Sequence, residues 1–161
     1  MMQEKTKSFD SERKQPASPE IEAAVLGGML LEKEAVPKVI ELITADCFYD
    51  NRHQFIFEAI VNLFSSNEPI DSVTVYEELR KSGKLEPAGG AVFLAKLTQD
   101  IASAANIEYY SKIILEKWIL RKLISTSFSI ANSAFEASED VFDLLDKAET
   151  EIFKITEKGL K

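Results

Sequence analysis

Cysteine and histidine are almost missing from this chain: Cys47 and His53 are the single instances in 161 residues. A lone cysteine excludes a disulfide framework within the chain, and one cysteine with one histidine cannot assemble a Cys/His zinc site. Glycine and proline are sparse as well, at six and five, which excludes collagen-like, linker and low-complexity architectures. No apolar run approaches the roughly 18 residues that cross a bilayer, and the opening MMQEKTKSFDSERKQ lacks the apolar core of a signal peptide. The chain therefore reads as cytoplasmic, in a reducing compartment and with no membrane partner. Positive charge is in deficit too. With 19 basic residues against 27 acidic, the net charge of -8 repels a phosphate backbone and disfavours strong nucleic-acid binding by this chain alone.

What the sequence does contain is apolar side chains in helical order. Residues 1–15 are polar and aperiodic and read as a disordered tail. Ser18 then Pro19 form a helix start, and EIEAAVLGGMLL follows with Ile21, Val25, Leu26, Met29 and Leu30 at helical spacing. Gly27 and Gly28 inside that pattern cost about 1 kcal/mol each relative to alanine, and close approach of another helix would explain them. A second helix is expected over AVPKVIELI and a third over NRHQFIFEAIVNLF, capped by Asp50 and burying Phe55, Ile56, Ala59, Ile60, Leu63 and Phe64. SVTVYEELRKS gives a fourth, with Asp71 or Ser72 as its cap and Gly83 in the left-handed position that ends it. A fifth runs from about Gly90 to Gln99. Strand alternation never persists, so the fold class is all-α, with a small globular helical head over residues 16–104.

From residue 105 to 161 the character changes. IEYYSKIILEKWILRKLISTSFSIAN is one long helix with apolar residues on nearly every face; Ser111, Lys122, Thr126 and Ser129 mark the one polar side. Such a helix must be covered almost all round, and a small head cannot do that over so great a length. The last helix, with Ser138 as its expected cap and Glu139 and Asp140 in its first turn, places Val141, Leu145, Ala148, Ile152 and Ile155 four, three, four and three apart. That is a coiled-coil seam, flanked by Phe142 and Phe153. The two long helices read as an antiparallel hairpin. From Glu136 to Glu157 two lysines stand against eight carboxylates, while Asn106 to Phe135 is net basic, so charge favours their pairing.

Chemical motifs are weak. In SGKLEPAGG the residue after Lys84 is Leu85, and Glu78 stands where a phosphate-binding loop opens with glycine, so no such loop forms. Helix, glycine turn and helix is also the outline of a helix-turn-helix unit, and a dimeric DNA-binding regulator of that kind is the alternative reading. The second helix, AVFLAKLTQD, offers one lysine and no arginine, which is poor chemistry for reading bases. His53 has no partner nearby in sequence and reads as packed or capping, Cys47 as a buried small side chain, and Glu77, Glu78 and Glu86 as a solvated face. Trp118 fits an interface anchor or a core residue equally well. No catalytic, cofactor-binding or metal-binding residue is assigned.

Several separated blocks carry a resemblance. They are Pro16, Glu20 and Glu22 with Val25-Leu26-Gly27; Asp46, Phe48 and Tyr49 with His53, Ile56 and Phe57; and Pro69-Ile70-Asp71 with Thr74, Val75 and Leu79. Gly83, Leu85, Gly89-Gly90 and Leu94 follow, then Ala105-Asn106-Ile107, Tyr110 and Arg121. On these residues the chain resembles the N-terminal domain of the bacterial replicative DNA helicases of the DnaB type, and LLDKAETEIFKI resembles the linker helix before that family's motor domain. Pro19 and Ile21 depart from the usual family residues at the start of the first helix. The resemblance implies an assembly domain that dimerises through its hairpin, with three dimers forming a collar on a hexamer, and that docks the C-terminal domain of primase and helicase loaders. ATP and magnesium belong to the motor domain, whose Walker A loop is not present up to Lys161, so this chain is expected to be non-enzymatic and a fragment of an ATP-dependent helicase. The implied hairpin interface, set against the apolar arcs, nominates Ile107, Tyr110, Ile114, Trp118 and Arg121 for self-association. The seam nominates Val141, Leu145, Ala148, Ile152, Phe153 and Ile155 for docking onto a neighbouring subunit's motor domain.

Overall fold

The computed structural model describes residues 13–99 and 103–160, and every regular element among them is helical. In chain order these are α1 (Pro19–Leu31), α2 (Ala35–Leu42), a 3-10 turn (Ala45–Cys47), α3 (Asn51–Ser65), α4 (Ser72–Lys81), α5 (Gly90–Gln99), α6 (Ile107–Glu136) and α7 (Val141–Gly159). The tail expected over residues 1–15 lies outside the described residues as far as residue 12. Among the described residues no helix is long and apolar enough to cross a membrane.

Local chemistry sets most helix starts. Asp50 accepts the Arg52 backbone N–H at 2.9 Å, and Asp71 with Thr74 closes a reciprocal capping box in which both bonds measure 2.9 Å. A side-chain cap of this kind contributes about 1 kcal/mol. Two expected caps need correction. Ser18 stands at the start of α1 but its hydroxyl makes no capping bond, so Pro19 with its fixed backbone angle sets that start. The last helix is capped by Asp140, which accepts from the N–H groups of Phe142 and Asp143 at 3.0 and 3.3 Å. Ser138 is spent in the turn, because α6 ends at Ala137 in the left-handed conformation (φ 49°) and the chain needs the next residues to reverse direction.

The head packs around α1, which touches α2, α3, α5 and α6. Val25, Leu26 and Met29 are fully buried there, with Phe48, Ile56, Phe57 and Ile60 from the 3-10 turn and α3, and Val75 and Leu79 from α4. The close approach expected at the α1 glycines is real at Gly28: a Cβ there would stand 2.9 Å from Ile107 Cδ1 and 3.2 Å from Ala104 Cβ. The SGKLEPAGG connector is a turn between packed helices, with Gly83, Gly89 and Gly90 all at positive φ.

One polar pair lies inside this core. Glu22 and His53 are 1% and 3% exposed. Glu22 Oε1 accepts from His53 Nδ1 at 2.8 Å, and its carboxylate also accepts the backbone N–H groups of Tyr49 at 2.7 Å and Asp50 at 3.2 Å. Phe93 stacks on the imidazole at 5.7 Å. The network ties α1 to the loop entering α3, and it makes His53 the packed histidine its sequence context suggested.

Candidate assembly surface on the helical hairpin

α6 serves two bodies. Its first turns complete the head: Ile107, Ser111, Ile114, Leu115 and Trp118 are buried, and the Ser111 hydroxyl is satisfied by the Ile107 carbonyl at 2.7 Å. Arg121 closes this half by donating to the carbonyls of Pro16 and Cys47, both at 2.7 Å, with its guanidinium 5.4 Å from the centre of the Tyr49 ring. Burial holds that guanidinium below its ordinary pKa, against the pull of Glu22, Cys47 and Tyr49. Past Arg121 the cover becomes partial: Ile124, Phe128 and Ile130 stay half-buried, while Leu123 and Phe135 are exposed, as is Leu120 beside Arg121.

α7 does not cover them. It folds back antiparallel, and a groove of 430 Å³ between the two helices is lined by Thr126, Ser129 and Ser133 of α6 and Leu144, Ala148 and Glu151 of α7. The second helix therefore lies along the hydroxyl-bearing side of the first. Leu120, Leu123 and Phe135 stay exposed, because a helix about 10–12 Å across shields only one face of its neighbour. On α7 itself, Val141, Leu145 and Ile152 form one exposed row and Phe142 and Phe153 a second. Phe142 is 73% exposed and Phe153 60%, far from the 7% of Ile155 on the inward face. Two apolar strips on a 30-residue and a 19-residue helix thus face outward.

The residues nominated from sequence divide across this geometry. Ile107, Ile114 and Trp118 are sealed by the chain's own head and offer no surface to a second molecule, Tyr110 is half-buried, and Arg121 is committed within the chain. Trp118 is core, covered by the Lys158 ammonium 4.2 Å from its ring centre. Of the seam, Val141, Leu145, Ile152 and Phe153 are exposed, whereas Ala148 and Ile155 turn inward. Leu120, Leu123, Phe135 and Phe142, exposed in the structure, were not nominated from the sequence. Their signal was distance along α6 and α7 from the segments that build the head. The helix-turn-helix alternative loses its recognition helix, since α5 buries Leu94 and Leu97 in the core and carries Lys96 as its one cation.

A family model described as the DnaB-like helicase N-terminal domain matches residues 14–116. The crystal structure of the N-terminal domain of DnaB helicase from Mycobacterium tuberculosis superposes with a TM-score of 0.84 at 36% identity, covering 88% of this chain and 99% of that one. The chain belongs to the DnaB-like helicase N-terminal domain family. Among curated relatives, the replicative DNA helicase DnaB of Rhodothermus marinus is 47% identical over 91% of this chain. That of Geobacillus stearothermophilus is 39% identical over 92%. The chain spans only 15% and 33% of the lengths of these two relatives. A DnaB-like replicative helicase whose structure was described with its interactions with primase shares the fold, with a TM-score of 0.69 at 24% identity over 88% of this chain and 32% of that one.

Proposed function

We propose that this chain is the N-terminal assembly and docking domain of a replicative DNA helicase, the head and hairpin forming a collar that organises a separate motor. In the whole protein the motor would bind ATP and magnesium and unwind DNA in the cytoplasm, and no residue of this chain is assigned to either ligand. Self-association runs through the uncovered apolar face of α6, as dimers that group in threes around a hexamer. The observation carrying this reading is that Leu120, Leu123 and Phe135 on α6 remain exposed after α7 has packed on the opposite, hydroxyl-bearing side. Ile107, Ile114 and Trp118 then act as the rigid base of the hairpin, and Arg121 fixes that base to the head.

The same collar receives the C-terminal domain of primase and a helicase loader, and the exposed face of α7, with Val141, Leu145 and Ile152 in one row and Phe153 in the next, packs against a neighbouring subunit's motor domain. The acidic balance of the chain is consistent with a docking role and opposes direct duplex binding. The test is solution mass by light scattering across a concentration series, for the wild-type chain and for Leu123→Glu. A wild-type dimer that dissociates in the variant with unchanged melting supports the reading. A wild-type monomer at every concentration overturns the self-association part of it.

A further inference from the structure

The head carries an apolar groove separate from the two hairpin rows. The half-buried Ile40 and Val61 line it over the buried Ile43 and Phe57, and its volume is 210 Å³. Small-molecule sites run to about 300–1,000 Å³, so this groove suits inserted side chains rather than a cofactor. A second concavity of 510 Å³ shares Ile40, Ile43 and Thr44 with it and extends to Lys154, Glu157 and Lys158 near the end of α7. The two make one channel across the C-terminal end of α2.

Three glutamates and two lysines line the channel, and the unpaired charge among them is acidic. Its lysines are already used, Lys154 by Glu151 at 3.2 Å and Lys158 by Asp46 at 2.7 Å. Its carboxylates Glu41, Glu58 and Glu157 have no ion-pair partner among the described residues. Because α2 ends here, its terminal carbonyls add partial negative charge at the same place. An apolar floor rimmed by unpaired carboxylates matches an amphipathic helix with apolar anchors and a cationic polar face. A second copy is the poorer occupant. Its exposed apolar rows on α7 lie among Asp146, Glu149 and Glu157, which would face the channel's own carboxylates.

We propose that this channel is a second docking site, for a short basic amphipathic helix of a partner protein, which seats apolar side chains against Ile40 and Val61 and sets its cations against Glu41, Glu58 and Glu157. The site does not depend on self-association through the hairpin. The probe is a synthetic helix with leucine at i, i+3, i+4 and i+7 and lysine elsewhere, compared with a counterpart carrying glutamate for lysine. Both are titrated by fluorescence anisotropy into the intact chain, the Glu58→Lys/Glu157→Lys double variant and Val61→Glu. Hydrogen exchange maps the footprint.

The expected result is saturable binding of the basic helix with protection in α2 and α3, a loss of roughly ten-fold or more in the charge-reversed variant, and no binding of the acidic helix. The charge-reversed variant changes only exposed side chains, so it remains informative if Val61→Glu does not fold. The proposal is overturned by absent binding, by equal binding to wild type and the charge-reversed variant, or by protection confined to the outer rows of α6 and α7. A fall in solution mass of the charge-reversed variant without peptide would also overturn it, by assigning the channel to a second copy.

Discussion

Lys158 Nζ lies 2.7 Å from Asp46 Oδ2 and 2.8 Å from Oδ1, joining the last turn of α7 to the 3-10 turn of the head across 112 residues of sequence. The same ammonium covers Trp118, and Ile155 is buried one turn earlier. The far end of the returning helix is therefore tied to the head, while the hairpin tip at residues 136–140 projects away from it. Lys158→Met should lower global stability by no more than about 1 kcal/mol, because the pair is partly exposed. Its local effect should be larger: amide exchange in the last two turns of α7 should quicken while that of α1 to α5 is unchanged. Uniform acceleration across the chain would contradict a local tether.

The tether should also respond to acid. Burial at the junction pushes the Asp46 carboxyl up, but the bonds from Lys158 and Thr44 outweigh it and leave the group below its ordinary pKa of 3.8. A carboxylate depressed in the folded state contributes fully above the unfolded value and loses that contribution as pH falls through the folded one. Exchange in the last turns of α7 should therefore quicken as pH drops from about 5 towards 2, after correction for the intrinsic rate. Asp46→Asn should show the fast exchange already at neutral pH and flatten this dependence.

Glu22→Ala should be among the most damaging substitutions in the head. It would strip the acceptor from His53 and from the backbone N–H groups of Tyr49 and Asp50, all within 3.2 Å of that carboxylate. Breaking a buried pair in this way costs about 3–5 kcal/mol. Denaturant unfolding should show a loss of that order, with a smaller one for Glu22→Gln, which keeps an acceptor oxygen. A loss below about 0.5 kcal/mol, as for an ordinary surface change, would mean the network contributes nothing net.

Adjacent glycines in the connector should respond differently to alanine. Both Gly89 and Gly90 sit at positive φ, yet a Cβ on Gly89 would meet the Phe93 ring at 2.7 Å, whereas one on Gly90 meets nothing within 4 Å. Gly90→Ala should cost about 1–2 kcal/mol from backbone strain alone. Gly89→Ala should cost more, since Phe93 must move off His53. Equal melting temperatures for the two variants would remove the steric part of this argument.

Residues of one seam on α7 should likewise separate. Ile155→Ala should cost about 2–5 kcal/mol as a buried truncation. Leu145→Ala and Phe142→Ser should change stability by less than about 0.5 kcal/mol, as exposed positions do. Thermal unfolding at low concentration, where self-association is minimal, distinguishes them. A large loss at Phe142 would show that it is core.

Much of this architecture was legible in the residues. Apolar spacing of three and four marked each helix, and Asp50, Asp71 and Gly83 punctuated them because caps and left-handed turns are local chemistry. Glu22 was harder to read. It was not read as buried although it shares a face with Val25, Leu26 and Met29, because the partner that makes burial tolerable lies 31 positions away at His53. The hairpin surface was harder still. An apolar arc along α6 looks the same from Ile107 to Phe135, and periodicity cannot say where the head stops covering it.

The sequence by itself determined that the chain is all helical, where its helices begin and end to within a few residues, that the last two form a hairpin, and which family it belongs to. The helices and their bounds depend on backbone propensity and side-chain period, which act over a turn or two, whereas the family rested on the resemblance of separated residue blocks. Only the tertiary structure decided which apolar residues are core and which remain surface, assigning Ile114 and Trp118 to one and Leu123 and Phe142 to the other. Burial is a property of what lies opposite, and what lies opposite α6 is supplied by helices as many as 90 residues earlier, such as α1 (Pro19–Leu31).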